Sequence, residues 1–325
     1  MLGPIALCLA GLAALIAGAE LLTRGGGDLA ARLGIPPIIV GLTVVAVGTS
    51  TPELAVGIDA VLRGNGALAV ANIAGTNIVN ILLILGLSAL LRPLALTMQT
   101  LRMDLPVMVA AALLFWFMAR DGALSRAEGL VLVGAGVVYT GIVVVLARRE
   151  SRAARRAFAE QFGPPEGPAF GGGRALPSLI ALVAGLVVII AGSDWFVDGA
   201  VGLARLWGVS EAFIGLTVVA IGTSLPELVT TLLSTLKGQR DVAIGNLLGS
   251  SVFNIVFILG VTCLVPAEAV PVAPLLLRID IPLMAAVALV CVPVFLSGRA
   301  VTRLEGGIFV AAYAAYLTLL ILTRT

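Results

Sequence analysis

Two glutamates, Glu53 and Glu227, each lie inside a long run of apolar residues. An ionised carboxylate at the centre of a lipid bilayer costs about 2.5 to 3.5 kcal/mol on insertion scales. No Lys or Arg lies within either run to neutralise the charge. Acids in such surroundings mark the path of an ion or a substrate, so these two side chains are the first candidates for function.

A proline, Pro52 or Pro226, directly precedes each glutamate. Because proline has no N–H, the carbonyls four residues earlier, at Gly48 and Gly222, lose their helical donors. Such a break persists in a membrane only where protein or a hydrated cavity satisfies the freed groups, and a cation could also bind them. We therefore expect both helices to be broken beside the glutamates.

Oxygen-bearing side chains follow helical spacing around both glutamates. Thr49 and Glu53 share a helix face, as do Asn72, Thr76 and Asn80 in the next segment. The second half repeats the arrangement in Thr223, Glu227, Asn246, Ser250 and Asn254. A single Asn or Thr in a membrane helix usually bonds a neighbouring helix, but a polar set repeated in this way favours one common site.

The candidate ligands are carboxylate, hydroxyl, amide and carbonyl oxygens, which hard cations prefer. Calcium accepts roughly six to eight oxygens in flexible geometry, whereas magnesium retains its waters and requires a tight octahedron. Two facing glutamates with main-chain oxygens therefore suit Ca²⁺. The smaller hydroxyl and carbonyl pockets suit Na⁺.

The composition argues against several other classes of protein. The chain has no histidine, which disfavours a zinc transporter or a zinc protease. Cys8, Cys263 and Cys291 lie in apolar runs without metal-binding spacing, and a net charge of +2 gives no sign of a nucleic-acid partner. Serine proteolysis requires a His or Lys base, and the single lysine, Lys237, lies in a loop. We predict no enzymatic activity, no cofactor and no obligatory protein partner.

The hydropathy of the chain predicts an integral membrane protein. Of 325 residues, 60% are hydrophobic and 12% charged, which is more apolar surface than a soluble core can bury. A bilayer core of about 30 Å requires roughly 20 apolar residues per helix, and the first segment lacks the basic start of a signal peptide. We predict an all-α fold with ten transmembrane helices at residues 4–22, 35–62, 67–91, 104–119, 126–147, 176–197, 209–236, 241–264, 279–297 and 304–323.

A sequence repeat relates the two halves of the chain. Residues 41–54 recur as residues 215–228, with twelve of fourteen positions identical at an offset of 174. The correspondence continues through residues 75–80 and 249–254. If each half contains five crossings, an odd number, the second half enters the membrane from the opposite side. We therefore predict two inverted-topology five-helix repeats whose broken helices meet at the midplane.

A basic, breaker-rich segment separates the repeats, and it predicts three regions. They are a first half at residues 1–147, a linker at 148–175 and a second, inverted half at 176–325. The ten-helix scheme places 14 Lys and Arg residues on the side of the linker and 6 on the other. The positive-inside rule then puts the linker in the cytoplasm and both termini outside the cell (inner) membrane.

Both halves resemble the alpha-repeats of the cation/calcium antiporter superfamily, especially the prokaryotic sodium/calcium exchangers. The resemblance rests on Gly-Thr-Ser-x-Pro-Glu followed by Gly-Ser/Thr-x-x-x-Asn, present twice, and it covers almost the whole chain. It implies a Ca²⁺ site formed by Glu53 and Glu227 with the main-chain oxygens of Thr49 and Thr223. It also implies Na⁺ pockets and a central lining that involve Ser50, Thr76, Ser224, Ser250, the carbonyls of Ala46 and Ala220, and the amides of Asn80 and Asn254.

The two central amides are a departure from some members of that superfamily. Certain relatives carry an aspartate at one of these positions, whereas this chain has Asn80 and Asn254. The fixed charge of the site is then limited to the two glutamates. Because K⁺ co-transport in relatives tends to accompany that aspartate, we do not expect it here.

These features together predict a secondary active antiporter that exchanges Ca²⁺ for Na⁺ by alternating access. An empty site with two carboxylates in a poorly hydrated cavity is too unfavourable to be occluded, so only loaded forms cross. The resemblance implies that the first and sixth helices slide past the remainder. A proton-coupled exchanger is an alternative, although the hydroxyl-rich pockets favour Na⁺. A Ca²⁺ channel is a weaker alternative, because a channel gains nothing from an inverted duplication.

Overall fold

The computed structural model of the chain describes residues 2–33, 39, 41–162, 172–207 and 220–324. Eight helices within these ranges are long and apolar enough to span a membrane. The bent pair Gly41–Thr49 and Thr51–Leu62 gives a ninth span if it is counted as one. The predicted span 209–236 lies partly outside the described residues, and its described part consists of two short helices.

The described helical segments are named α1 to α12 in chain order. They are α1 (Leu2–Leu33), α2 (Gly41–Thr49), α3 (Thr51–Leu62), α4 (Gly66–Leu91), α5 (Thr100–Asp121), α6 (Arg126–Phe162), α7 (Gly172–Leu206), α8 (Ala220–Thr223), α9 (Leu225–Leu236), α10 (Arg240–Leu264), α11 (Leu276–Leu296) and α12 (Arg303–Arg324). Helices α6 and α7 continue into the predicted linker, whose residues 163–171 lie outside the described ranges.

Two short antiparallel strand pairs join loops of the two halves. β1 (Leu94–Ala95) pairs with β4 (Ala300–Val301), and β2 (Ala123–Leu124) pairs with β3 (Val270–Pro271). β1 precedes α5 and β2 follows it, whereas β3 precedes α11 and β4 follows it. Helix α11 is the counterpart of α5 in the sequence repeat. The loop before α5 therefore pairs with the loop after α11, and the loop after α5 pairs with the loop before α11.

Further contacts define two opposite ends of the molecule. At the end that we call the Lys237 end, the Arg92 guanidinium lies against Gly238, and Lys237 forms an ion pair with Glu20. At the Arg126 end, Arg126 Nε donates a 2.7 Å hydrogen bond to Pro266 O. The loop before α4 joins this second end, since Gly66 packs against β3.

Helices α4 and α10 form the centre of the described structure, and 78% of the apolar window of each is buried. Both change from α- to π-helical geometry near repeat-related asparagines, over Val79–Leu85 in α4 and Asn254–Leu259 in α10. Such widened turns occur frequently at functional sites. They place Asn80 and Asn254 in the interior of the protein rather than at its lipid-facing surface.

Helices α1 and α7 pack backbone to backbone along glycines spaced seven residues apart. A Cβ built on Gly18 would lie 2.7 Å from the Ile189 nitrogen, and one built on Gly185 would lie 2.5 Å from the Leu22 nitrogen. Small residues permit this close approach between membrane helices. We call the set the glycine seam; its members are Gly11, Gly18, Gly25, Gly185, Gly192 and Gly199.

The seam predicts that Gly18→Ala destabilises the protein, because the added methyl group overlaps the backbone of α7. Overpacking of this kind costs about 1 to 3 kcal/mol, and we expect a lower thermal unfolding midpoint in detergent. Gly141→Ala on α6 is the matched control, since a Cβ there meets nothing within 4 Å. Equal midpoints for the two variants would contradict the seam.

Candidate cation site

Each repeated motif contains a helix break directly before its glutamate. Between α2 and α3, Ser50 adopts φ −88° and ψ 9°, and Pro52 lies in the first turn of α3. Ser224 has nearly the same angles, −90° and 6°, between α8 and α9. The axes of α2 and α3 differ by 46°. The breaks therefore occur where the prolines predicted them.

The carbonyls that lose helical donors to the prolines find other donors in the protein. Gly48 O accepts a backbone N–H at the turn. Gly222 O accepts a 2.9 Å hydrogen bond from the Ser193 hydroxyl of α7. The sequence allowed protein groups, water or a cation to satisfy these carbonyls. In the structure protein groups do so, and neither carbonyl depends on an ion.

The two motifs meet in the interior through side-chain hydrogen bonds. Ser50 Oγ, from the first motif, donates to Glu227 Oε1, from the second, at 2.9 Å. Thr49 Oγ1 donates to Asn246 Oδ1 of α10 at 3.1 Å. All four side chains are fully buried. Residues separated by about half of the chain therefore belong to one polar cluster.

A second group of contacts joins the end of α2 to α10. Ser250 Oγ lies 3.5 Å from Thr49 Oγ1 and 3.5 Å from the Ala46 carbonyl oxygen. Glycine makes this approach possible, because a Cβ on Gly249 would lie 2.8 Å from the Leu42 backbone. The predicted Na⁺ ligands Ala46 and Ser250 thus lie side by side with Thr49.

Several polar atoms of the predicted site are buried and lack protein partners. Among the described residues, both oxygens of Glu53, one oxygen of Glu227 and the amides of Asn80 and Asn254 are buried without a hydrogen bond. Glu53 also lies close enough to Glu227 for their charges to interact. Buried polar groups without partners are costly. A cation between the two carboxylates would satisfy their free oxygens.

The remaining predicted ligands differ in their position and in how far the structure describes them. Thr76 is buried on α4, one turn before Asn80, and Ser224 is buried at the second helix break. Thr223 ends α8, which packs against the first part of α4. Ala220 begins α8, and its side chain lies outside the described part of the structure.

One member of the polar cluster, Thr231, was not predicted. Asn246 Nδ2 donates a 3.0 Å hydrogen bond to Thr231 Oγ1, so Asn246 bridges α2 and α9. Thr231 lies four residues after Glu227 and therefore occupies the same helix face. That spacing was available in the sequence, and it could have identified the residue.

Comparisons relate this chain to membrane transporters. The family described as sodium/calcium exchanger protein matches residues 3–145 and 177–322. The inner membrane protein YrbG of Escherichia coli (strain K12) is 40% identical over 276 residues, which are 84% of this chain and 83% of that protein. The sodium/calcium exchanger MaX1 of Methanosarcina acetivorans is 30% identical over 341 residues, with 96% and 97% covered. A solved structure of the sodium-calcium exchanger NCX_Mj aligns with a TM-score of 0.82 and 26% identity over 98% of this chain and 99% of that chain.

The buried acids predict that Ca²⁺ stabilises the folded protein. A ligand that binds only the folded state at 100 times its Kd adds about 2.7 kcal/mol, so we expect Ca²⁺ to raise the thermal unfolding midpoint. Glu53→Gln and Glu227→Gln should remove most of this increase, because each variant loses one of the two negative charges.

Asp59→Asn is the control for these variants. Asp59 lies on α3 like Glu53, but it is exposed and pairs with Arg63 at the surface. Its replacement should leave the response to Ca²⁺ intact. A response that survives in both glutamate variants, or that is lost in Asp59→Asn, would show that Ca²⁺ binds elsewhere.

Proposed function

This chain belongs to the sodium/calcium exchanger family, and we propose that it exchanges Ca²⁺ for Na⁺ across a membrane at the buried site between its repeated motifs. One observation carries the proposal: Ser50 of the first motif bonds Glu227 of the second at 2.9 Å. The contact brings both acidic motifs to a single interior site. A relative that covers nearly the whole chain bears the name sodium/calcium exchanger, which supports the same pair of ions.

In this proposal Ca²⁺ binds between Glu53 and Glu227, with the main-chain oxygens of Thr49 and Thr223. The unpartnered carboxylate oxygens support this position. Two carboxylates balance the charge of one Ca²⁺, and Ca²⁺ tolerates the irregular geometry of ligands from several helices. The protein would therefore neutralise a divalent cation without any further acid.

Na⁺ binds in flanking pockets on either side of the Ca²⁺ position. The contacts of Ser250 with Thr49 and with the Ala46 carbonyl support one pocket, because they gather three neutral oxygens within reach of a small cation. The sequence repeat supports a second Na⁺ pocket. The proposed Na⁺ ligands are Ser50, Thr76, Ser224, Ser250, Ala46 and Ala220, with Asn80 and Asn254 at the centre.

Charge neutralisation makes the exchange obligatory. With neither ion bound, two carboxylates face a site that is removed from water, and no buried cation in the described residues compensates them. Moving such a site through an occluded state is unfavourable. Loading with Ca²⁺ or with Na⁺ removes that barrier, so a loaded carrier crosses in each direction and ion leakage is prevented.

We further propose ten transmembrane helices in two inverted repeats, residues 1–147 and 176–325, joined by the linker 148–175. The crossed strand pairing supports inversion. The loop before α5 lies with the loop after α11, and the loop after α5 lies with the loop before α11. Since α5 is long enough to span the bilayer, equivalent loops of the two halves are on opposite sides.

The membrane orientation follows from the distribution of basic residues. We propose that the Lys237 end and the linker face the cytoplasm and that both termini lie outside, because 14 of the 20 Lys and Arg residues then lie inside. The similarity to a protein named an inner membrane protein supports the cell membrane as its location.

The glycine seam supports the proposal that α1 and α7 move together as the alternating element. Their buried apolar side chains form a cluster separate from the main core, and the broken helices contribute only Val45 and Leu225 among its buried described members. Close backbone packing holds the two helices together, so they would move past the rest of the protein as one unit. The site would open to one side or the other as the pair shifts.

A flux experiment tests the proposed function directly. Purified protein in liposomes should take up radioactive Ca²⁺ when Na⁺ is present inside and absent outside, at equal pH on both sides. Glu53→Gln and Glu227→Gln should each reduce the initial rate at least about tenfold, equivalent to about 1.4 kcal/mol, while Asp59→Asn should retain it.

Two further conditions separate this function from its alternatives. A pH gradient without Na⁺ should give no uptake, and uptake under that condition alone would establish proton coupling instead. Ca²⁺ should not leave loaded vesicles when the outside contains neither Na⁺ nor Ca²⁺. Rapid loss under that condition would contradict the charge-neutralisation mechanism.

A further inference from the structure

Helix α9 carries a polar face that continues beyond Glu227 toward the Lys237 end. Four hydroxyl residues follow the glutamate at spacings of three and four, so they lie on one side of the helix. They are Thr230, Thr231, Ser234 and Thr235, and each is at most 1% exposed. The matched positions of α3 in the first half are Val56, Gly57, Ala60 and Val61. The polar face therefore exists in only one of the two repeats.

Ordinary helix packing does not explain this face. Thr231 and Thr235 have hydrogen bonds, since Thr231 accepts from Asn246 and Thr235 donates to the Thr231 carbonyl at 2.8 Å. Thr230 Oγ1 and Ser234 Oγ are fully buried and have no partner among the described residues. A hydroxyl buried without a partner loses its hydrogen bonds to water and gains none in return. Hydroxyls that serve only to hold helices together would be paired.

The polar face ends at a cavity. Beyond Thr235 lies a space of about 420 Å³ at the Lys237 end, between the loop of Arg92 and the start of α10. Gln239 Oε1 and Asp241 Oδ1 line it without hydrogen bonds. Arg92 and Arg240 also line the cavity, and Arg240 lies 4.0 Å from Asp241; both arginines are exposed, so water screens their charges.

We propose that this face is the route by which cations travel between the central site and the Lys237 end. The proposal rests on the exchange function above and assigns it a path. Successive hydroxyls exchange for the waters of a Ca²⁺ or Na⁺ ion one at a time, and the cavity with Asp241 is the mouth. Because α3 lacks hydroxyls at the matched positions, access from the Arg126 end uses different groups, and the two directions of transport are not equivalent.

Ser234→Cys and its repeat counterpart Ala60→Cys test the route. A positively charged, membrane-impermeant thiol reagent, applied to proteoliposomes without Ca²⁺, should modify Ser234→Cys from the Lys237 side. Lys237→Cys reports which side of the vesicle is accessible, and the parent chain with its three native cysteines is the blank. Ala60→Cys should react from neither side. Equal reaction of both variants, or none at Ser234→Cys while Lys237→Cys reacts, would overturn the route.

A second measurement distinguishes a route from a structural contact. Thr230→Val and Ser234→Ala remove unpartnered hydroxyls, so we expect an unchanged or higher unfolding midpoint together with Ca²⁺ uptake slowed about threefold or more. A lower midpoint with normal flux would instead assign both hydroxyls to packing. The labelling does not require transport. Absence of flux in the parent chain would therefore refute the proposed function, whereas failed labelling in an active exchanger would refute the route alone.

Discussion

Two carboxylates without a fixed countercharge, enclosed by apolar helices, are the constraint on which the rest of the structure depends. Glu53 and Glu227 are fully buried, and the hydrogen bond from Ser50 to Glu227 leaves both oxygens of Glu53 and one oxygen of Glu227 without a donor among the described residues. A charge in such surroundings is tolerated only with compensation. The helix break at Ser50 and the close approach at Gly249 bring hydroxyl and carbonyl oxygens together with Glu227.

The two repeats are related in sequence but are not equivalent in the structure. Glu227 receives a hydrogen bond from the opposite motif, whereas both oxygens of Glu53 are unpartnered. Asn246 links α2 to α9, and hydroxyls continue along α9 but not along α3. A duplicated unit supplies the common framework of the site. Differences at individual positions then give each side of the protein its own chemistry.

Much of this arrangement could be predicted from the sequence because membrane helices obey strict rules. Proline before each glutamate predicted the breaks at Ser50 and Ser224. Contacts between residues far apart in the chain were harder to predict from the sequence. Ser193 donates a hydrogen bond to the Gly222 carbonyl, and Asn246 donates one to Thr231. Both contacts depend on how helices pack, which residue spacing within one segment does not specify. Helices α6 and α7 extend beyond the predicted membrane spans, since helical propensity continues past the end of an apolar run.

The glycine seam has a consequence for the surrounding lipid. Helices α1 and α7 bury only 28% and 33% of their apolar windows in the protein, so most of their surface faces acyl chains. A pair that shifts along the membrane normal alters the match between its apolar length and the thickness of the bilayer. Mismatch costs fractions of a kcal/mol per Å. If α1 and α7 move as proposed, the acyl-chain length of the host membrane would bias which face of the carrier is open, and lipid composition would regulate turnover without a dedicated binding site.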